Sequence, residues 1–147
     1  MPVIDVELVG GQPLIGVYVG VSEPRAQALM KAGRSVPPPV YTTLLIDTGA
    51  SSTCIDGARL GQLELDATGL VEIETPSTRG VPHSCQGFDV SLQIRPQTAG
   101  LAFVIPALPI IETGGFGFGF DGLLGRDVLS QCILIYNGVS KRYVLSY

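Results

Sequence analysis

The residue types best suited to chemistry sit in Leu44-Leu45-Ile46-Asp47-Thr48-Gly49-Ala50-Ser51-Ser52-Thr53. A carboxylate placed directly after an apolar run is costly to bury unless it meets a partner or serves a site. Gly49 permits a sharp turn and a close approach of other backbone. Thr48 sets a hydroxyl beside the carboxylate. An Asp so placed can take a proton as a general base, or donate one when protonated. The same residues also make an ordinary Asx-turn at a strand end, so the tripeptide alone does not decide. Other candidates are weaker. His83 is the single histidine, has no ligand partner and reads as an exposed loop residue. Cys54, Cys85 and Cys132 show neither Cys-x-x-Cys nor Cys/His ligand spacing, which predicts buried free thiols in a reducing compartment and no metal site.

The elements around Asp47 read as short strands. Residues 3–9 and 14–21 are β-rich, with Gly10-Gly11 between them, and predict an opening β-hairpin. Ser22, Glu23 and Pro24 start a helix that Gly33 ends, and Pro37-Pro38-Pro39 then forces an extended segment. Residues 22–39 read as an insertion between two strands. Residues 40–46 form the strand that delivers Asp47. Residues 70–74 and 88–94 alternate as two arms of a hairpin with a long polar tip. A strand is expected at 101–105, a flexible Gly-Phe loop at 114–120 and a short helix within 125–131. A closing hairpin turns at Asn137-Gly138.

Composition bounds the class. The 147 residues suit one domain, and 46% hydrophobic against 15% charged is the opposite of a disordered chain. The 19 glycines and 11 prolines imply many tight turns and an all-β fold. A net charge of -4 argues against nucleic acid as a partner. The longest apolar stretch, 101–111, is broken by Pro106 and Pro109 and is too short to span a membrane. With no basic-then-apolar leader visible, a cytoplasmic location is expected.

The apolar lead-in and the Ala-Ser tail around Asp47-Thr48-Gly49 resemble the active-site loop of retropepsin-like aspartic proteases. A second stretch, Asp121-Gly122-Leu123-Leu124-Gly125-Arg126-Asp127-Val128-Leu129, resembles that family's hydrophobic-hydrophobic-Gly motif and the short helix after it. The resemblance spans most of the chain and implies a single-domain acid-protease barrel with a flap hairpin, about 70–94. With one Asp-Thr-Gly per chain, it also implies a homodimer in which two Asp47 carboxylates activate a water and hydrolyse peptide bonds without metal or cofactor. Thr48 then braces the two loops across the dimer, and Gly49 offers its carbonyl to an extended peptide. The implied substrate-binding residues are Ala50, Ser51, Leu124 and, at a flap tip near 77–81, Arg79, Gly80 and Val81. Leu123, Gly125 and Arg126 form the scaffold.

Some features depart from the viral pattern. Ser51 stands where viral enzymes often carry the acidic partner of the downstream Arg, which leaves Asp127 or a backbone carbonyl for Arg126. Phe116, Phe118 and Phe120 either line the cleft or cap the core. The terminal hairpin looks self-contained, unlike the interdigitated viral sheet. A non-catalytic dimerisation or peptide-binding module of the same fold is the alternative reading.

Overall fold

The computed structural model describes residues 1–75, 78–117 and 119–147. Its strands are β1 (Val3–Glu7), β2 (Leu14–Val21), β3 (Val40–Ile46), β4 (Cys54–Asp56), β5 (Gly69–Ile73), β6 (His83–Ile94), β7 (Phe103–Thr113), β8 (Gly122–Leu124), β9 (Ile133–Asn137) and β10 (Arg142–Ser146). Three short helices join them: α1 (Glu23–Lys31), α2 (Gly57–Leu60) and α3 (Arg126–Leu129).

Side chains alternate along a strand, so one face of β3 buries Thr42, Leu44 and Ile46 while the other stays partly exposed. Strands of this kind close a barrel in the order β2-β3-β8-β4-β7-β6, and β2 pairs back onto β6 from Tyr18↔Gln93 to Val21↔Val90. Val17, Val19, Leu44, Ile55, Val90, Leu92, Ile94 and Leu124 fill it, each at most 1% exposed. The fold is all-β and closes a barrel, as expected, and the barrel has six strands.

The expected opening hairpin is not formed. Gly10 and Gly11 do turn the chain, with left-handed φ of 59° and 83° and a Val9↔Gln12 bridge. Beyond that turn the strands part, because β2 already has β3 on one edge and β6 on the other. β1 pairs with β10 instead, and β1-β10-β9 make a separate three-stranded sheet. Tyr143 of β10 ties this sheet to the barrel. It is 1% exposed and donates its hydroxyl hydrogen to Leu14 O at 2.6 Å.

Residues 22–39 do lie between two strands, β2 and β3. Ser22 makes no side-chain cap on α1, whereas Gly33, at φ 68°, ends that helix as expected. The Gly33 and Arg34 N–H groups close the end onto Met30 O and Leu29 O. β7 runs much further than 101–105 because a bulge accommodates Pro106, while Pro109 stays in register opposite Asp89. Val90 pairs with Leu108 but Leu92 with Ile105, so Pro106 and Ala107 oppose one residue of β6. The flap is shorter than 70–94. β5 pairs only with His83 to Gly87, and β6 then continues as a barrel strand against β7. At the tip Val81 N donates to Thr78 O across Arg79 (φ 49°) and Gly80 (φ 80°), a type I′ turn. Ser77 lies outside the described residues. The final turn is longer than Asn137-Gly138. It spans 138–141, and Asn137 acts through its side chain, accepting from Ser140 N at 3.0 Å.

Candidate active site

Asp47 follows β3 directly, and its N–H donates to Leu124 O at 3.0 Å, so the parallel pairing with β8 continues up to the carboxylate. Strand register shows what lies in front of it. Leu45 pairs with Leu123, Leu123 with Cys54, and Cys54 with Ile111, a row across four strands whose members are all half-buried. Their neighbours Leu44, Ile46, Leu124, Ile55 and Ile110 point the other way, into the core. Asp47 lies two residues beyond Leu45 and so shares the open face. The row is an apolar floor that leads to the carboxylate.

This geometry corrects one assignment. Leu124 is fully buried and cannot touch a ligand, whereas Leu123, expected as scaffold, lies on the floor. Two adjacent residues of a strand must face opposite ways, and pairing with β4 fixes which is which.

The loop itself is tightly held. Asp47 Oδ1 accepts from Gly49 N at 2.8 Å, and Ala50 N donates to Asp47 O at 3.2 Å. No hydrogen bond to Oδ2, or to the Thr48 hydroxyl, forms among the described residues. Arg126 answers the question of its partner with backbone. Its Nη1 donates to Thr48 O at 2.9 Å and Gly49 O at 3.1 Å, and its own N–H to Ala50 O. Gly49 O thus keeps one lone pair beyond its bond to Arg126.

Asp127 serves a different residue. Its carboxylate accepts from Thr53 N and Thr53 Oγ1, both at 2.8 Å, while Thr53 Oγ1 accepts from Gly125 N at 3.1 Å. This knot, in which Thr53 is buried and Asp127 half-buried, joins the far end of the Asp47 loop to α3, and sequence reasoning missed it. Its only signal was a threonine and an aspartate, each adjacent to a motif. Gly125 is required there: a methyl group in its place would lie 2.6 Å from Ser52 C and 2.9 Å from Thr53 N. Asp121 is structural too, accepting from Thr43 N at 3.1 Å and pairing with Arg59 at 3.2 Å.

Cys54 stands on the floor close enough to feel Asp47. Burial pushes its thiol up, a backbone hydrogen bond with Leu123 pulls the other way, and the negative fields of Asp47 and Asp127 raise it further. It is therefore a protonated lining group. All three cysteines are free and half-buried. Phe120 is buried and stacks with Phe116 at 5.2 Å, which fits a core cap, and Phe118 lies outside the described residues.

The structure gathers Asp47, Thr48, Gly49 and Ala50 with Leu123, Gly125 and Arg126, and leaves Ser51 exposed on the same loop. Arg79, Gly80 and Val81 are exposed at the flap tip, with no hydrogen bond or ion pair to that loop among the described residues. Between the flap arms and the end of β7 lies a cavity of about 380 Å³, lined by Ile73, His83, Cys85, Glu112 and Thr113 among others. Among the described residues no cluster of His, Cys, Asp or Glu is placed to hold a metal ion. No described helix is long and apolar enough to cross a membrane.

No family model and no curated protein matches this sequence. Solved structures do match. A retropepsin-like aspartic protease from Rickettsia conorii superposes with a TM-score of 0.61 at 17% identity, over 99% of this chain and 90% of that one. The retroviral protease-like domain of Ddi1 from Leishmania major gives a TM-score of 0.39 at 13% identity, over 84% and 81% of the two chains. Likeness at such identity is likeness of fold. The closed barrel, the flap hairpin and the Rickettsia conorii match together establish that this chain has the retropepsin-like fold.

Proposed function

We propose that the chain is half of an aspartic endopeptidase, completed by Asp47 of a second copy. The observation that carries this reading is the state of Asp47. One carboxylate oxygen is fixed by Gly49 N, the other has no partner among the described residues, and the group stands at the end of an apolar floor. Two such carboxylates brought together cannot both ionise, so the pair shares one proton. The ionised Asp47 takes a proton from a water held between them, and the hydroxide attacks the scissile carbonyl. The protonated Asp47 donates a hydrogen bond to that carbonyl, and a proton then passes to the leaving amine. No covalent intermediate, metal or cofactor enters these steps.

The remaining roles follow from position. Thr48, exposed and with a hydroxyl that has no partner among the described residues, braces the two loops across the dimer. The spare lone pair of Gly49 O, with Ala50 and Ser51, meets the peptide backbone, and Leu45, Leu123, Cys54 and Ile111 favour apolar side chains. The flap closes over the peptide through Arg79, Gly80 and Val81, adding it as a strand and excluding water. The test is cleavage of unstructured peptides at acidic to neutral pH. Asp47→Asn is expected to lower the rate by at least about 10³-fold, within the range for acid–base groups. Cleavage that survives this change rules the mechanism out, and peptide binding without cleavage by the wild type marks a non-catalytic module.

A further inference from the structure

The flap is held differently at its arms and at its root. The arms, 69–73 and 83–87, bond to each other. The root, 64–68, is gripped by the helix of the inserted segment. Arg25, in the first turn of α1, donates from Nη1 to Asp66 Oδ2 at 2.6 Å and from Nη2 to Glu64 O at 2.9 Å. Glu64 ends a short 3-10 turn, Gly61–Leu63, in the left-handed conformation at φ 50°. A guanidinium placed there satisfies a carbonyl left over at the end of the turn and meets the negative end of its dipole. Arg25 Nε is buried and has no partner among the described residues. An arginine at liberty would turn that N–H to water, so the two bonds of its fork dictate where the side chain lies. Among the described residues no other side chain bonds to 64–68.

The inserted segment is itself fixed to the barrel. Ser22 and Leu29 are buried, α1 runs close to β7, and Pro39 at the far end of the insertion lies near Gly20 of β2. Just before the root, Leu63 is buried and Leu65 packs half-buried against the core. Just after the contacts of Arg25 the chain loosens. Residues 66–70 are all exposed, and Gly69 has φ 155°, where a side chain is disfavoured. The change from anchored chain to self-supporting hairpin therefore falls between Asp66 and Gly69. We propose that Arg25 is a positioning residue for the flap. It latches the root to the inserted helix, so that the hairpin pivots at Gly69 and no further back, and it slows the escape of a bound peptide. Without the latch, 64–68 peel away with β5 and the open state gains population. The inference rests on the reading that the flap covers a peptide, and adds a control of that flap by residues 22–39.

The experiment compares wild type with Arg25→Ala, Arg25→Lys and Asp66→Asn. Amide hydrogen exchange without peptide and urea unfolding are measured on each. The release rate of a dye-labelled, unstructured peptide is measured in forms that also carry Asp47→Asn, so that nothing is cleaved. Arg25→Ala is expected to speed exchange of amides 65–73 about fivefold, with an unchanged urea midpoint, and to speed peptide release by a like factor. Arg25→Lys keeps a charge for Asp66 but loses the fork, and should recover only part of both effects. Asp66→Asn should change either rate less than about twofold, because that carboxylate is 85% exposed. Unaltered exchange at 65–73 in Arg25→Ala overturns the latch and leaves the Asp47 mechanism standing. Faster exchange with unaltered peptide release overturns the control of the flap. A urea midpoint that falls in proportion to the local change assigns Arg25 to general stability, which also overturns the proposal. If no form binds peptide, the proposed function fails and exchange alone decides the latch. Should Arg25→Ala fail to fold, Arg25→Lys decides, and exchange equal to wild type in that variant overturns the proposal.

Discussion

The Asp47 loop and the flap hairpin are held in opposite ways. The loop is secured by residues far along the chain, with Arg126 on Thr48 and Gly49, Asp127 on Thr53 and Gly125 packed against Ser52. The flap is secured by itself. β5 pairs with His83 to Gly87, the tip bonds Thr78 to Thr75 and Val81 to Thr78, and no residue of β5 is buried. Leu70 and Val81 are 74% and 69% exposed. Local hydrogen bonds with little apolar burial define a unit that opens independently of the body. Groups that must hold a carboxylate in place need the opposite, support from packed neighbours. The difference therefore separates the part that fixes geometry from the part that is free to open and, on the proposed function, to admit and cover a peptide.

The sharpest way to break this comparison is Gly125→Ala. Its methyl group meets the Ser52–Thr53 peptide, and backbone cannot move aside as a flexible side chain can. The expected loss is about 3 kcal/mol of global stability, at the upper end for overpacking, read from the urea midpoint. pH should also find the body before the flap. Burial pushes the Tyr143 phenol up to about 12, while its ordinary value is near 10. The unfolded chain therefore releases this proton first. The contribution is complete below about pH 10 and is lost as pH rises through about 12. Over that window stability should fall by on the order of 2 kcal/mol from this group, and Tyr143→Phe should flatten that part of the curve. An equally steep fall in the phenylalanine variant would assign it to other groups.

Thr53→Val tests the buried knot. It removes the hydroxyl between Asp127 and Gly125 N and keeps the volume, leaving both groups short of a partner. The expected cost is about 2 kcal/mol in thermal or chemical unfolding, and Thr53→Ser should recover most of it. A valine variant as stable as wild type would mean that the hydroxyl adds nothing to the hold of Arg126 and of the residue-53 N–H to Asp127 bond.

How far the sequence discloses this arrangement depends on the length of each signal. Asp47 at the end of an apolar strand, Gly33 ending α1 and the helix after Gly125 are legible because each combines a pattern with a residue of restricted conformation. The partner of β1 is not, since nothing local says that β2 has both edges occupied. β4 and α2 escape because Cys54–Asp56 is too short to show a period. Leu123 and Leu124 are chemically identical, and only the register of β8 against β3 and β4 decides which one faces the cleft. β7 hides behind Pro106 because a bulge is a property of two strands. Arg126 was visible as a cation in need of a partner, but its choice of two carbonyls depends on where the chain turns after Asp47.

The smallest effect is expected at the flap, and it is the one that tests independence most directly. Gly80 sits at φ 80°, where a side chain is strained, so Gly80→Ala should cost the hairpin about 1 kcal/mol. Nothing lies within 4 Å of the added methyl group, so the cost is conformational and confined to the turn. If the flap opens as its own unit, amides of β5 should exchange about fivefold faster while global stability changes by less than about 0.5 kcal/mol. On the proposed function, in which the closed hairpin is the state that binds, peptide affinity should weaken in step with the exchange. If Gly80→Ala instead lowers the global unfolding free energy by its full local cost, the flap is coupled to the barrel through the continuous strand β6. The division at Gly87 would then be one of position and not of stability.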